Sequence, residues 1–173
     1  MKILGKYPNI RLRRNRKYEW SRRLVAENNL TVSDLILPVF VTEGKNKEQS
    51  IKTMPNILRY SVDKIDSVIN KASKLKIPLV AIFPHTHNKK KNSTGSEALN
   101  ENNLVCRTIR KIKKANPNIG IMADVALDPY TNHGHDGILK KKEILNDETI
   151  KILSKQALLQ AEMGCDVIAP SDM

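Results

Sequence analysis

Between positions 124 and 136 the chain reads Asp124-Val-Ala-Leu-Asp128-Pro-Tyr-Thr-Asn-His133-Gly-His135-Asp136, three carboxylates and two imidazoles within 13 residues. Carboxylates at this density suit general acid–base work or the holding of an ammonium group. Asp124 lies inside an apolar run, where a carboxylate is costly unless it is paired. At the tip of a strand it is either a catalytic group or a cap on local backbone N–H groups. His133 and His135, with Asp128 or Asp136, make a mixed nitrogen and oxygen set that suits zinc or another transition metal. The spacing is a weak signal, and the competing reading has both rings hydrogen-bonding the loop to itself. A second His-x-His, His85 and His87, follows another apolar run and reads either as a further pair of ligands or as surface residues among lysines. Ser171 and Asp172 continue directly from a fourth apolar run and should emerge at the same face as Asp124 and Asp136. Cys106 and Cys165 lie in no CxxC or Cys/His cluster, which argues against a structural zinc or a disulfide framework, and Cys106 reads as a packing residue.

The elements that must position these groups alternate regularly. Continuous apolar runs at 35–41, 77–83, 119–127 and 165–169 read as parallel strands covered on both faces. Between them lie amphipathic helical stretches. One follows Ser61 as N-cap and carries Val62, Ile65, Val68, Ile69, Ala72 and Leu75. A second follows Asn100 with Leu104, Val105, Ile109, Ile112 and Ala115. A third follows Asn146 with Ile150, Leu153, Ala157, Leu158 and Ala161 and stops at Gly164. An earlier helix at 17–28 should set Trp20, Leu24 and Val25 on one side. Strands starting near 35, 77, 119 and 165 predict right-handed βαβ units and a parallel sheet. A doubly wound open sheet and part of a (β/α)8 barrel both satisfy this pattern. No strand is followed by G-x-G-x-x-G or a Walker A motif. The polar loops after Phe83 and Leu127 are long, about 17 and 18 residues, and stand where either architecture builds its site.

The chain has 173 residues and a formal net charge of +12, from 30 basic and 18 acidic side chains. That charge raises a nucleic-acid partner, yet Lys outnumbers Arg by 21 to 9 and only seven residues are aromatic, against the Arg-rich, stacking surfaces of nucleic-acid readers. The runs Lys89 to Lys91 and Lys140 to Lys142 read as solvated surface. The apolar runs are too short to span a membrane, no signal sequence is recognisable, and the few cysteines fit a reduced cytoplasmic setting.

The runs DVALDPYTNHGHDG, LNDETI, QALLQAEMGCDVIAPSDM, LILPVFVTEG and SIKTMPNILRYS together resemble the porphobilinogen synthase (5-aminolevulinate dehydratase) family, in order from about Arg11 to Met173. The resemblance implies a (β/α)8 TIM barrel, of which about the first four βα units fall in this chain, preceded by an N-terminal arm. Residues 1–30 are then the arm and first helix, and 31–173 the N-terminal half of the barrel domain. The activity implied is condensation of two 5-aminolevulinate molecules to porphobilinogen, in haem and related tetrapyrrole biosynthesis. Asp124 matches an active-site aspartate. The three cysteines that hold zinc in zinc-dependent members align with Ala126, Asp128 and Asp136, so the resemblance is to the zinc-independent branch. In that branch Asp128 and Asp136 face the amino group of a substrate molecule, and many members use magnesium away from the chemistry. Ser171 and Asp172 match the A-P-S-D-M run at the floor of the site. The family assembles as homo-oligomers, often octamers, through the arm; that implication is preferred here to a nucleic-acid partner for Arg11, Arg13, Arg14, Arg16 and Lys17, and no membrane partner is expected. Its Schiff-base lysines lie on later strands, so the chain is expected to be a fragment, inactive alone, with its first and fourth strands unpaired. The alternative is a non-catalytic half-barrel that needs a partner to complete the fold.

Overall fold

The computed structural model describes residues 5–11 and 13–171. Asp172 therefore lies outside the described residues. The chain divides into two compact units, residues 1–31 and 32–173.

In the first unit, helix α1 (Glu19–Leu24) follows a single 3-10 turn at Arg14–Arg16. It is much shorter than the helix expected over 17–28. Six residues form too few hydrogen bonds to offset nucleation, and at Val25 the backbone has already left helical geometry, with φ −101° and ψ 8°. The Ser21 hydroxyl donates to the carbonyls of Tyr18 and Asn15. Trp20, Leu24 and Val25 stay exposed.

The second unit contains a six-stranded sheet in the order β2-β3-β1-β4-β5-β8. Its members are β1 (Ile36–Thr42), β2 (Glu48–Ile51), β3 (Met54–Ser61), β4 (Leu79–His85), β5 (Gly120–Val125) and β8 (Val167–Pro170). A separate two-residue hairpin pairs β6 (Leu139–Lys140) with β7 (Glu143–Ile144). Strands β1, β4, β5 and β8 are the four expected ones, all parallel to their neighbours. The hairpin of β2 and β3 was not anticipated, because its polar stretch Glu48–Ser50 lacks an apolar signal. β3 runs parallel to β1 and pairs Phe40–Thr42 with Arg59–Ser61, so the first strand is not wholly unpaired as expected. The sheet is open, with β2 and β8 at its edges.

Helices α2 (Ile65–Lys74), α3 (Leu104–Ala115) and α4 (Asn146–Glu162) connect the parallel strands. Ile65, Ile69, Ile109 and Ile112 pack with Val39, Val41, Val80, Ile82 and Ile121 in a closed core. Ser61 does not cap α2. Its hydroxyl instead accepts the Lys47 N–H at 2.9 Å and ties down the β1–β2 loop, and a 3-10 turn at Val62–Lys64 leads into the helix. Cys106 is fully buried on α3, where burial pushes its thiol up to about 11, in keeping with a packing role. At the amino ends of the strands, Asp166 accepts the Ile121 N–H at 2.7 Å and pairs with Lys113 at 2.5 Å, joining α3, β5 and the entry to β8.

The buried face of α4 departs from the apolar stripe. Ile150 and Leu158 are exposed, whereas Thr149, Leu153, Gln156 and Gln160 are buried. The reason is polar: the Gln156 amide donates to the Ala126 carbonyl at 3.2 Å, and Gln160 to the Asp124 carbonyl at 2.9 Å. A buried carbonyl without a donor costs more than an exposed leucine. Gly164, at φ +100°, ends the helix as expected, in a backbone region other residues rarely adopt.

This packing makes a contrast measurable by urea denaturation. Ile109→Ala, in the core of α3, should cost about 2–5 kcal/mol. Leu158→Ala should change stability by no more than about 0.5 kcal/mol; a core-sized loss would restore the helix face expected from periodicity.

Candidate active site

Strand β5 shows which way the chemistry points. Ile121, Ala123 and Val125 are buried beneath the helices, while Met122 and Asp124 alternate onto the opposite face and are half-buried. That second face is only partly covered, so the expectation of strands covered on both faces holds for one face within this chain. On β1 and β4 the same rung carries Phe40 opposite Phe83, with ring centroids 5.7 Å apart. One rung further toward the carboxyl ends, Thr42 stands opposite His85, and its Oγ1 is 3.5 Å from His85 Nδ1.

Asp124 is held by its backbone and by its side chain. Its carbonyl takes the Gln160 amide, and its Oδ1 accepts a 2.5 Å hydrogen bond from Ser171 Oγ, one residue beyond β8. Ser171 thus emerges beside Asp124 as the strand order demands, since Asp124 pairs with Ala169 in the β5–β8 register. The carboxylate keeps one oxygen outside this bond.

Asp128 and Asp136 belong to the loop after β5. Desolvation raises the Asp128 pKa above the ordinary aspartate value, and the charges of Asp136 and Asp124 add to the shift. Lys91, whose ammonium donates to the Asp128 carbonyl at 3.4 Å, opposes it. Asp128 therefore stands among like charges, which favours a bound cation or a transferable proton at its carboxyl. Ala126, two residues beyond Asp124, is buried. Cys106 is fully buried in the first turn of α3, and Cys165 stands just before β8 at the amino end of the strands; neither is among the groups that shift Asp128.

His133 and His135 are tied to backbone groups of the site loops. His133 Nδ1 accepts the His135 N–H and His135 Nδ1 accepts the Gly137 N–H, at 3.2 and 3.1 Å. His133 Nε2 lies 3.4 Å from the Ser93 carbonyl. Both rings thus have a nitrogen committed to the backbone. Among the described residues no group of three or more His, Cys, Asp or Glu side chains is disposed to hold a metal ion.

Two braces that the sequence did not reveal hold the site loops. Asn92 exchanges backbone hydrogen bonds with Tyr130 and Asn132, zipping the loop after β4 to the loop after β5. Its side-chain oxygen also accepts the N–H groups of Thr94 and Ser96. Glu43, just past β1, binds Lys90 at 2.9 Å and Arg107 at 2.7 Å, and Lys90 also reaches Glu97 at 3.0 Å. Burial works to raise the Glu43 pKa, but the two cations outweigh it and hold the carboxyl below its ordinary range. Lys90, expected as solvated surface, is thus paired with two carboxylates. The polar signal for Gln156 and Gln160 was present as two amides four residues apart, on one helix face.

The Asp128 shift has a defined consequence for stability. Its carboxyl binds a proton more readily in the folded than in the unfolded chain. The corresponding stability is present below the ordinary aspartate pKa and is lost as pH rises through the raised folded value. Asp128→Asn should therefore melt at a higher temperature than the parent at neutral pH and at the same temperature in strong acid. Thermal melts at the two pH values check this; equal melting at neutral pH would count against the electrostatic crowding.

Known proteins share this arrangement of elements. The sequence model of the family described as delta-aminolevulinic acid dehydratase matches residues 9–173. The delta-aminolevulinic acid dehydratase of Bradyrhizobium diazoefficiens is 56% identical over 164 residues, covering 95% of this chain and 46% of that protein. The Chlamydia pneumoniae enzyme of the same name is 43% identical over 163 residues, covering 94% and 49%. A crystal structure of the Toxoplasma gondii delta-aminolevulinic acid dehydratase (porphobilinogen synthase), in complex with its reaction product porphobilinogen, superposes with a TM-score of 0.86 at 37% identity. The match covers 95% of this chain and 47% of that one. The chain spans about half the length of the curated relatives it matches. The likeness resolves the choice of architecture in favour of part of a (β/α)8 barrel over a doubly wound sheet. With four parallel βα strands in order and a carboxylate cluster at their carboxyl ends, the chain belongs to the delta-aminolevulinic acid dehydratase family.

Proposed function

We propose that this chain contributes the first half of the barrel of a porphobilinogen synthase, a lyase that condenses two molecules of 5-aminolevulinate to porphobilinogen in tetrapyrrole biosynthesis. The observation that carries the reading is the convergence of Asp124, Asp128 and Asp136 at the carboxyl end of β5 in a chain of this family. Asp128 and Asp136 hold the amino group of one substrate molecule, and the raised pKa of Asp128 fits it to accept a proton from that ammonium. Asp124, oriented by Ser171, supplies a fixed charge at the reacting face. Ser171 is assigned to the catalytic set with Asp124, Asp128 and Asp136, and Asp172, which follows it in sequence, to substrate binding.

Active-site zinc is not part of this reading. A soft-metal site needs thiolates, and Ala126, Asp128 and Asp136 offer a methyl group and two hard oxygens. Magnesium, where used, serves away from these residues in the intact protein. The Schiff-base lysines are assigned to later strands, since the six-stranded sheet carries no lysine on β1, β4, β5 or β8. The intact protein is read as a cytoplasmic homo-oligomer, octamer-like, with residues 1–30 as the arm; the exposed Trp20 and Leu24 supply apolar surface for such a contact. No helix among the described residues is long and apolar enough to cross a membrane, and neither membrane nor nucleic acid enters the reading.

Joining residues 1–173 to the second half of the Bradyrhizobium relative provides the test. The chimera should form porphobilinogen, a zinc chelator should leave its rate unchanged, and residues 1–173 alone should form none. Asp124→Asn in the chimera should lower kcat by about a hundredfold or more. A folded chimera without turnover, or one silenced by the chelator, would overturn the assignment.

A further inference from the structure

A cleft of about 280 Å³ opens between the β1–β2 loop and the end of β4, lined by Thr42, Glu43, Lys47, Gln49, His85 and His87 among others. It lies at the carboxyl ends of the strands, apart from the three aspartates, and its chemistry is opposite to theirs. Gly44 has φ +119°, and a Cβ there would meet Lys47 Nζ at 2.8 Å. Glycine thus lets the lysine side chain fold back over the turn, and Lys47 makes no ion pair among the described residues.

The two imidazoles complete a set of donors. His87 Nδ1 accepts the Lys89 N–H at 3.2 Å, which puts the ring proton on Nε2. His85 Nδ1 is 3.5 Å from the Thr42 hydroxyl. A proton on the far nitrogen of that ring likewise makes it a donor. Burial lowers the His85 pKa, and the positive charges of Arg59 and Lys91, with His87, lower it further, so the ring is neutral near pH 7. The Glu43 carboxylate on the cleft wall is already matched by Lys90 and Arg107. What remains is one ammonium without an ion-pair partner among the described residues, with N–H donors around it.

We infer that this cleft binds the carboxylate of a small organic acid, with Lys47 supplying the charge and His85, His87 and Gln49 the hydrogen-bond donors. One positive charge matches one carboxylate. A phosphate dianion would keep an excess negative charge beside Glu43, which is why a monocarboxylate is the better fit. The inference does not depend on the dehydratase reading, because it concerns binding to residues of this chain and not turnover.

The test follows the imidazole proton resonances of His85 and His87 in the 173-residue chain by NMR during titration with levulinate, acetate and inorganic phosphate. Levulinate and acetate should shift both rings saturably, and more tightly than phosphate. Lys47→Ala should weaken levulinate binding by about tenfold or more, the loss expected for one charge-assisted hydrogen bond. His87→Ala should weaken it as well, and both variants should keep the parent's thermal melt. Lys151→Ala, on the exposed side of α4 and outside both the cleft and the aspartate cluster, should bind levulinate as the parent does. Absence of saturable shifts, unchanged binding in Lys47→Ala, or tighter binding of phosphate would overturn the inference.

Discussion

Everything at the candidate site depends on the carboxyl end of β5 being held in place while its side chains are left free to react. A parallel strand that ends at a mouth faces a conflict. Its last carbonyls lose regular ladder partners, yet they are buried beneath a helix and cannot reach water. Here α4 resolves it with two amides, Gln156 on Ala126 and Gln160 on Asp124. The backbone that bears Asp124 is therefore fixed from behind, and Ser171 fixes its carboxylate from the side. The helix gives up apolar burial to do this, leaving Ile150 and Leu158 at the surface.

The loops follow the same logic. Three carboxylates near one another repel, as the raised Asp128 pKa records, so the segments carrying them need bracing from elsewhere. Asn92 supplies it by pairing with the chain at Tyr130–Asn132. The ion pairs from Glu43 to Lys90 and Arg107, and from Lys90 to Glu97, bind the β1 end, the loop after β4 and α3 together. These pairs are half-exposed, so each contributes modestly; their value lies in connecting segments far apart in sequence. The result is a mouth divided by charge, with acid at β5 and the Lys47 ammonium beside the ends of β1 and β4.

Much of this was legible beforehand. The four parallel strands, the three connecting helices and the helix stop at Gly164 followed from apolar runs, periodicity and backbone geometry, which are local properties. The density of chemistry between Asp124 and Asp136 was visible for the same reason. The hairpin of β2 and β3 was not legible, because Glu48, Gln49 and Ser50 carry no apolar alternation and become a strand only by pairing with Leu58–Tyr60. Helix α1 is shorter than its apolar residues suggest, because Trp20, Leu24 and Val25 stay exposed within residues 1–31.

The sequence by itself determined the order of the four parallel strands and their three connecting helices, and the density of carboxylates from Asp124 to Asp136, since each depends on residue type and local repeat. Tertiary structure alone decided which polar groups are partners. Gln160 is an ordinary helix residue until the Asp124 carbonyl lies within reach, Lys90 is a surface charge until Glu43 and Glu97 flank it, and Lys47 is unremarkable until Gly44 lets it fold across the cleft. Such pairings join residues tens of positions apart, and hydrogen bonds depend on distance and direction that no local pattern encodes.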